Sequence, residues 1–115
     1  MAHNHRLWRW PLRRFVVVED SMRPTLNPGD GLLGRRGGRV RPGQVRIFRD
    51  PTLAARWLVK RVGQVHGSGP DATFEACSDN PDAVGVVDSR RFGPVAAADT
   101  YRMVFKVRGA GRRRS

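Results

Sequence analysis

Short extended runs separated by turn-forming residues make up most of the chain, and helical periodicity is nearly absent. Runs that are β-branched, or that alternate apolar and polar positions as 44–48 and 101–107 do, predict strands at 15–18, 31–34, 44–48, 57–65, 73–77 and 101–107. Clusters of Gly, Pro, Asn and Asp lie between them, and the cluster at 67–71 is expected to close a hairpin. One helical turn is expected at 22–26, and 79–93 is predicted as loop. The predicted fold is mainly β, a compact coiled antiparallel sheet or a partly open barrel.

Charge divides the chain into a domain and two basic ends. The 115 residues suffice for one domain with a modest core. The formal net charge is +12, and eight arginines lie in the ends at 1–14 and 108–115, which contain no acidic residue. We therefore predict a mildly basic domain at 15–107 between two basic, flexible ends. Such ends suit peripheral contact with an anionic membrane, aided by Trp8 and Trp10, and solvated ends without a partner are the alternative.

Several classes of protein are disfavoured by what the sequence lacks. Cys77 is the only cysteine, so an internal disulfide is excluded. No run approaches the roughly 20 apolar residues of a membrane helix, and the first residues lack the apolar core of a signal peptide. The expected location is the cytoplasm, at most peripheral at a membrane. His3, His5 and His66 are too scattered for a metal site, and no cofactor is expected.

One lysine and one serine carry the candidate chemistry. Lys60 is one of two lysines among 22 basic residues, and in a strand it shares its face with Leu58 and Val62, whose apolar side chains favour a neutral amine. Ser21 follows an apolar strand at a sharp turn, where its hydroxyl and nearby backbone N–H groups would be exposed. A neutral amine beside a serine hydroxyl can remove its proton. On spacing alone, however, an ordinary turn serine and a lysine that reaches out to water are favoured.

Several short sequence blocks stand in a particular order along the domain. They are Ser-Met-Arg-Pro-Thr-Leu at 21–26, Pro-Gly-Asp at 28–30, Arg-Pro-Gly-Gln-Val-Arg-Ile-Phe-Arg-Asp-Pro at 41–51, Val-Lys-Arg-Val at 59–62, Asp-Asn at 79–80 and Asp-Ser-Arg-Arg-Phe-Gly-Pro-Val at 88–95. Each block alone is weak evidence for a relationship to any family. Together, in this order, they resemble the type I signal peptidase family, including its small bacterial and organellar members. The resemblance implies the β catalytic core of that family and covers nearly all of 15–107.

The resemblance also implies roles for individual residues. Ser21 would be the nucleophile and an oxyanion donor through its backbone N–H, and Lys60 would be the general base. The supporting residues implied by the same blocks are Met22, Pro24, Asp88, Ser89 and Arg90. Met22 would pack under the substrate groove. Asp88 and Arg90 would form an ion pair that supports the strand of the lysine, a structural role rather than a part in the chemistry.

Three positions depart from the family pattern. Glu19 stands where glycine or serine is usual, and we expect its carboxylate to point to solvent or to a basic neighbour. Ser78 replaces the glycine of Gly-Asp-Asn, and Val86 stands where a serine usually forms a hydrogen bond with the lysine. Ser78 or Ser89 could supply that hydroxyl, but their spacing does not decide between them. These departures weaken the expectation of efficient catalysis more than the expectation of common ancestry with the family.

The expected function is therefore that of a hydrolase, a serine protease that cleaves a leader or signal peptide from a protein substrate bound along a sheet edge. A short member without a membrane anchor is similar to the maturation proteases that trim leaders, such as those of nickel superoxide dismutase. One alternative is a self-cleaving domain like those of SOS-type repressors, which share the serine and lysine. The other is a non-catalytic basic module for nucleic acid or anionic membrane. No specific nucleic-acid partner is expected, since the domain lacks a base-stacking aromatic pattern.

Overall fold

Strands are the main regular elements of the described residues. The computed structural model describes residues 11–80, 82 and 88–109, so Trp8, Trp10 and Val86 lie outside the described residues. The strands are β1 (Leu12–Val16), β2 (Gly31–Arg36), β3 (Val45–Asp50), β4 (Leu53–His66), β5 (Thr73–Cys77), β6 (Val95–Ala96) and β7 (Tyr101–Val107). A 3-10 turn (Gly69–Asp71) and the four-residue helix α1 (Ser89–Phe92) complete the described elements. The mainly β prediction is confirmed, and no helix in the described part is long and apolar enough to cross a membrane.

All seven strands belong to one antiparallel sheet with the order β1-β2-β7-β3-β4-β5-β6. The sheet is not closed into a barrel, and β1 and β6 are its edges. The long strand β4 pairs with β3 over its first part, up to Arg61, and with β5 only from Arg61 onward. Residues 53–60 therefore have no partner on the β5 side among the described strands. This leaves a stretch of free strand edge immediately before and including Lys60.

The predicted elements agree with the sheet in most places, but β1 covers Leu12–Val16 rather than 15–18. The sheet therefore includes 12–14, which the sequence assigned to the flexible N-terminal end. The ranges of β5 and β7 are as predicted, and the β4–β5 hairpin forms, with His66 paired with Thr73. Gly67 lies in the connection at a φ of 77°, a conformation that favours glycine. The expected turn at 22–26 is present as a hydrogen bond from Leu26 N to Met22 O, 2.8 Å long.

The structure contains two elements that the sequence did not predict. One lies inside the loop predicted at 79–93, and the other follows that loop. The loop prediction is wrong at α1, because the Asp88 carboxylate caps this helix by accepting a hydrogen bond from Arg90 N at 3.0 Å. Strand β6 was also missed. It consists of two residues whose pairing with Thr73 and Phe74 comes from the tertiary fold rather than from a local pattern.

Two apolar clusters form the core. The first contains Phe15, Val17, Met22, Leu26, Leu32, Val45, Ile47 and Tyr101. The second contains Val40, Phe48, Leu58, Val62, Phe74, Ala76 and Val95. Because the first cluster includes Met22, the turn that carries Ser21 is anchored in the core. The second includes both apolar neighbours of Lys60 on its face of β4.

Candidate active site

Lys60 lies on the buried face of β4. Its side chain is 0% exposed, and Leu58 and Val62 on the same face are also buried, as the strand alternation predicted. Burial lowers the pKa of the Lys60 amine, and the attraction of the Glu19 and Asp88 carboxylates opposes this only in part. Burial thus makes the neutral amine, the form that can accept a proton, available at a lower pH than in an exposed lysine.

A chain of hydrogen bonds orients this amine. Lys60 Nζ donates to Ser78 Oγ over 3.1 Å, and Ser78 Oγ donates to Asp88 Oδ2 over 3.1 Å. Burial by itself would raise the pKa of Asp88, but hydrogen bonds from Arg90 and Ser78 outweigh it and the pKa is lowered. An ionised carboxylate only accepts hydrogen bonds, so the hydroxyl hydrogen of Ser78 points to Asp88 and its oxygen accepts from Lys60. The lone pair of a neutral Lys60 amine is therefore directed away from Ser78.

Ser21 sits at the turn that follows β1. The residue is 4% exposed and lines a groove. Among the described residues, neither its hydroxyl nor its backbone N–H has a hydrogen-bond partner. Within that part of the chain, the hydroxyl and the N–H are both unoccupied, as a nucleophile and an oxyanion donor would have to be.

The segment after β5 connects the Ser21 turn to the Lys60 site. Asn80 N donates to Ser21 O over 2.8 Å, and Asn80 Nδ2 donates to Asp20 O over 3.2 Å. Asn80 follows Ser78, the hydrogen-bond partner of Lys60, by two positions. The backbone of Ser21 is therefore bonded to the segment that also orients Lys60. The side-chain hydrogen bond of the Lys60 amine goes to Ser78 rather than to Ser21.

A second connection runs through Asp79. Arg61 donates to both oxygens of the Asp79 carboxylate, with Nε to Oδ1 at 2.9 Å and a terminal nitrogen to Oδ2 at 2.8 Å. Thr25 Oγ1 donates to Oδ2 at 2.7 Å. The hydrogen bonds from Arg61 hold the pKa of Asp79 below its usual range. Asp79 thereby joins the Ser21 turn, through Thr25, to the residue that follows Lys60 on β4.

The Ser21 groove has a volume of about 240 Å³. Its lining consists of residues 13–19, Ser21, Met22, Ile47, Trp57 and Val59. Strand β1, an edge of the sheet, and the half of β4 without a β5 partner both border it, so two strands that each have an unpaired side in the described part lie at the same groove. Such a groove suits an extended peptide, which can pair with a free strand edge. A larger cavity of about 640 Å³, near the β4–β5 turn, contains none of the site residues predicted from the sequence.

The other residues predicted for the site are placed as follows. Met22 is fully buried in the first core cluster and also lines the groove. Pro24 follows a cis peptide bond and does not line the groove. Glu19 lines the groove and forms an ion pair with Arg56 at 3.5 Å, the basic neighbour expected for it.

The structure distinguishes between the two serines that could supply a hydroxyl to the lysine. Ser78 is the partner of Lys60, whereas Ser89 Oγ donates to Glu75 Oε1 over 3.2 Å. Asp88 pairs with the exposed guanidinium of Arg90 at 3.2 Å, but it also accepts the hydrogen bond from Ser78. Asp88 is thus connected to the amine of Lys60 through one hydroxyl.

The sequence assigned no role to Asp79 and Asn80 beyond their place in a block. The register of the β4–β5 hairpin would have indicated their position, because pairing His66 with Thr73 and Arg61 with Cys77 puts Lys60 beside Ser78. The residues after Ser78 then reach the Ser21 turn. No group of three or more His, Cys, Asp or Glu side chains able to hold a metal ion occurs in the described ranges.

Comparison of the chain with models of protein families, with curated proteins and with solved structures gives no match. The relationship to type I signal peptidases therefore stays a proposal. Its support is the order of the sequence blocks and the site geometry.

Proposed function

We propose that the protein is a serine endopeptidase of the signal-peptidase type, which cleaves a leader or signal peptide from a protein substrate. Ser21 is its nucleophile and Lys60 its general base. One observation carries the proposal: a fully buried lysine donates to Ser78, which itself donates to Asp88, and the segment that contains Ser78 is bonded to the backbone of Ser21. A structural lysine at a strand edge would instead extend its amine to water.

The proposed reaction begins with a neutral Lys60 amine. It takes the proton of the Ser21 hydroxyl as Oγ attacks the peptide carbonyl, and the Ser21 N–H donates to the oxyanion that forms. The protonated amine then gives its proton to the leaving nitrogen as the C–N bond breaks. Water, deprotonated by the same amine, hydrolyses the acyl-enzyme and releases the acid and free Ser21.

Charges around Lys60 suit its change of protonation during this cycle. The ionised Asp88 stabilises the ammonium form through Ser78, and Glu19 does so through space. Arg56 and Arg90 act in the opposite direction. Burial remains the largest influence, so the amine returns to its neutral form readily.

The pH dependence of cleavage tests the proposal. A proteome-derived peptide library, with new termini identified by mass spectrometry, supplies substrates. With one of these, kcat/KM should rise with pH, because a charged Lys60 cannot accept a proton, and the midpoint should lie below the ordinary lysine value of 10.5. Glu19→Gln removes an attraction that raises the Lys60 pKa, so its midpoint should lie lower still.

Two results would count against this proposal. One is a rate that falls with pH or has its midpoint at 10.5 or above. The other is an intact mass that shortens at a defined bond during incubation while no library peptide is cut, which would favour the self-cleaving alternative.

A further inference from the structure

Three arginines from three strands meet around an aromatic floor next to the Ser21 groove. The arginine pocket, a cavity of about 390 Å³, is lined by Arg13, Arg36 and Arg49 together with Trp57 and Tyr101. Arg13 belongs to β1, Arg36 to β2 and Arg49 to β3. These residues are distant in sequence, so only the curled sheet brings their side chains together.

Aromatic rings hold the guanidinium groups in place. The guanidinium carbons of Arg49 and Arg13 lie 4.4 and 4.9 Å from the centre of a Trp57 ring, and that of Arg36 lies 5.9 Å from the centre of the Tyr101 ring. Trp57 is itself in edge contact with Tyr101, at 5.9 Å. Arg49 also donates one hydrogen bond, from a terminal nitrogen to Ala54 O at 2.9 Å, which leaves its other N–H groups for a ligand. A guanidinium that stacks on a ring loses less freedom when it binds a carboxylate.

The arginine pocket has unbalanced positive charge. None of its three arginines forms an ion pair with a carboxylate in the described part of the chain. The arginines that do form such pairs are Arg23, Arg56, Arg61 and Arg90. Asp99 is the acidic residue in the pocket lining, so three positive charges face one negative charge. The pocket therefore favours an anionic ligand.

The arginine pocket and the Ser21 groove are adjacent, because Arg13 and Trp57 line both. A peptide that runs along the groove from Ser21 toward Arg13 would therefore bring other side chains to the arginine pocket. Carboxylates can accept two parallel hydrogen bonds from a guanidinium, which a peptide backbone cannot do.

We propose that the arginine pocket binds Asp or Glu side chains of a peptide, and that substrates carry an acidic segment on the side of the cleaved bond that extends toward Arg13. The statement about substrates rests on the proposed endopeptidase function, whereas binding of an acidic peptide does not. Arg13, Arg36 and Arg49 are then residues that determine specificity.

Binding is tested in the Ser21→Ala protein, so that cleavage does not consume the probe. Fluorescein-labelled hexaglutamate is titrated at about 50 mM salt and followed by anisotropy, because ion pairing is stronger at low ionic strength. Arg13→Gln with Arg49→Gln should weaken binding by about 10-fold or more. The matched control is Arg41→Gln, an exposed arginine outside the pocket that should change affinity less than about twofold. Equal losses in both variants, or no loss in the double variant, would overturn the proposal.

Two further measurements separate the proposal from its rivals. Tighter binding of hexathymidylate, or of phosphatidylserine vesicles, than of hexaglutamate through the same arginines would overturn it in favour of a phosphate polyanion. In the peptide library, cleaved peptides should be enriched in Asp and Glu, and the double variant should lose this enrichment. Cleavage without enrichment contradicts the acidic substrate and leaves the endopeptidase intact. Hexaglutamate binding without any cleavage supports the pocket and contradicts the endopeptidase.

Discussion

Replacing Lys60 with methionine should abolish peptide cleavage and at the same time make the protein more stable. Methionine has a similar length and fills the buried site, but it has no amine to accept a proton. We expect cleavage to fall by a factor on the order of 10⁴ or more, as when a nucleophile or its base is removed. Unfolding in urea at pH 7 should show a gain of about 1–2 kcal/mol, because a buried ionisable group has been replaced by an apolar one.

The sign of the stability change follows from the pKa of Lys60. Burial lowers it below 10.5 in the folded protein, so between the two values the unfolded chain binds a proton that the folded chain lacks. Stability of the unsubstituted protein should therefore increase with pH across that window, up to 10.5. The gain from Lys60→Met should be largest below the folded-state pKa and should decrease as the pH rises.

Two controls accompany this variant. Ser21→Ala should abolish cleavage as well, but change stability by no more than about 0.5 kcal/mol, since the hydroxyl has no hydrogen-bond partner among the described residues. Lys106→Met alters the other lysine, an exposed residue of β7, and should leave cleavage intact. Cleavage that survives Lys60→Met or Ser21→Ala is incompatible with the proposed mechanism.

Ser78→Ala should lower kcat by about 10- to 100-fold with little change in KM. The substitution removes the oxygen that accepts the Lys60 hydrogen bond and the hydroxyl that connects it to Asp88. The amine then loses its orientation, an effect of the size found for residues that position a reactive group. KM should stay within about twofold, because Ser78 does not line the groove.

The pH profile gives a second readout for Ser78→Ala. Without the connection to Asp88 the ammonium form is less stabilised, so the midpoint of kcat/KM should move to lower pH. Ser89→Ala is the matched control, since its hydroxyl donates to Glu75, and its kcat should stay within about twofold. A larger loss in Ser89→Ala than in Ser78→Ala would mean that the hydrogen bonds to Lys60 and Glu75 are assigned to the wrong serines.

Local sequence patterns were sufficient to predict much of the sheet. Alternation and flanking turn residues predicted β5 and β7 within their observed bounds, and they placed Lys60 on a buried face of β4. Strand β6 could not be found in this way, because two residues carry no periodicity. In β3, strand geometry puts Arg46 on the face opposite Val45 and Ile47. All three are nevertheless buried, because backbone carbonyls of the loop at 37–39 accept hydrogen bonds from the Arg46 guanidinium.

The candidate site could not be predicted without knowing the register of the paired strands. The sequence left Ser78 and Ser89 as equal candidates for the hydroxyl near the lysine, and only the pairing of β4 with β5 puts Ser78 beside Lys60. The role of Asp79 likewise depends on contacts between residues far apart in the chain, Thr25 and Arg61. The arginine pocket has no sequence signature, because its three arginines belong to three strands.

Direct titration of the Lys60 amine is the measurement that tests the central claim. Protein labelled with ¹³C at the lysine Cε carries only two signals of this kind, from Lys60 and Lys106, and Lys106→Arg assigns them. The Lys60 signal should titrate below 10.5, with a midpoint that matches the pH profile of kcat/KM. A Lys60 amine that titrates at 10.5 or above would contradict the assignment of Lys60 as the base that activates Ser21.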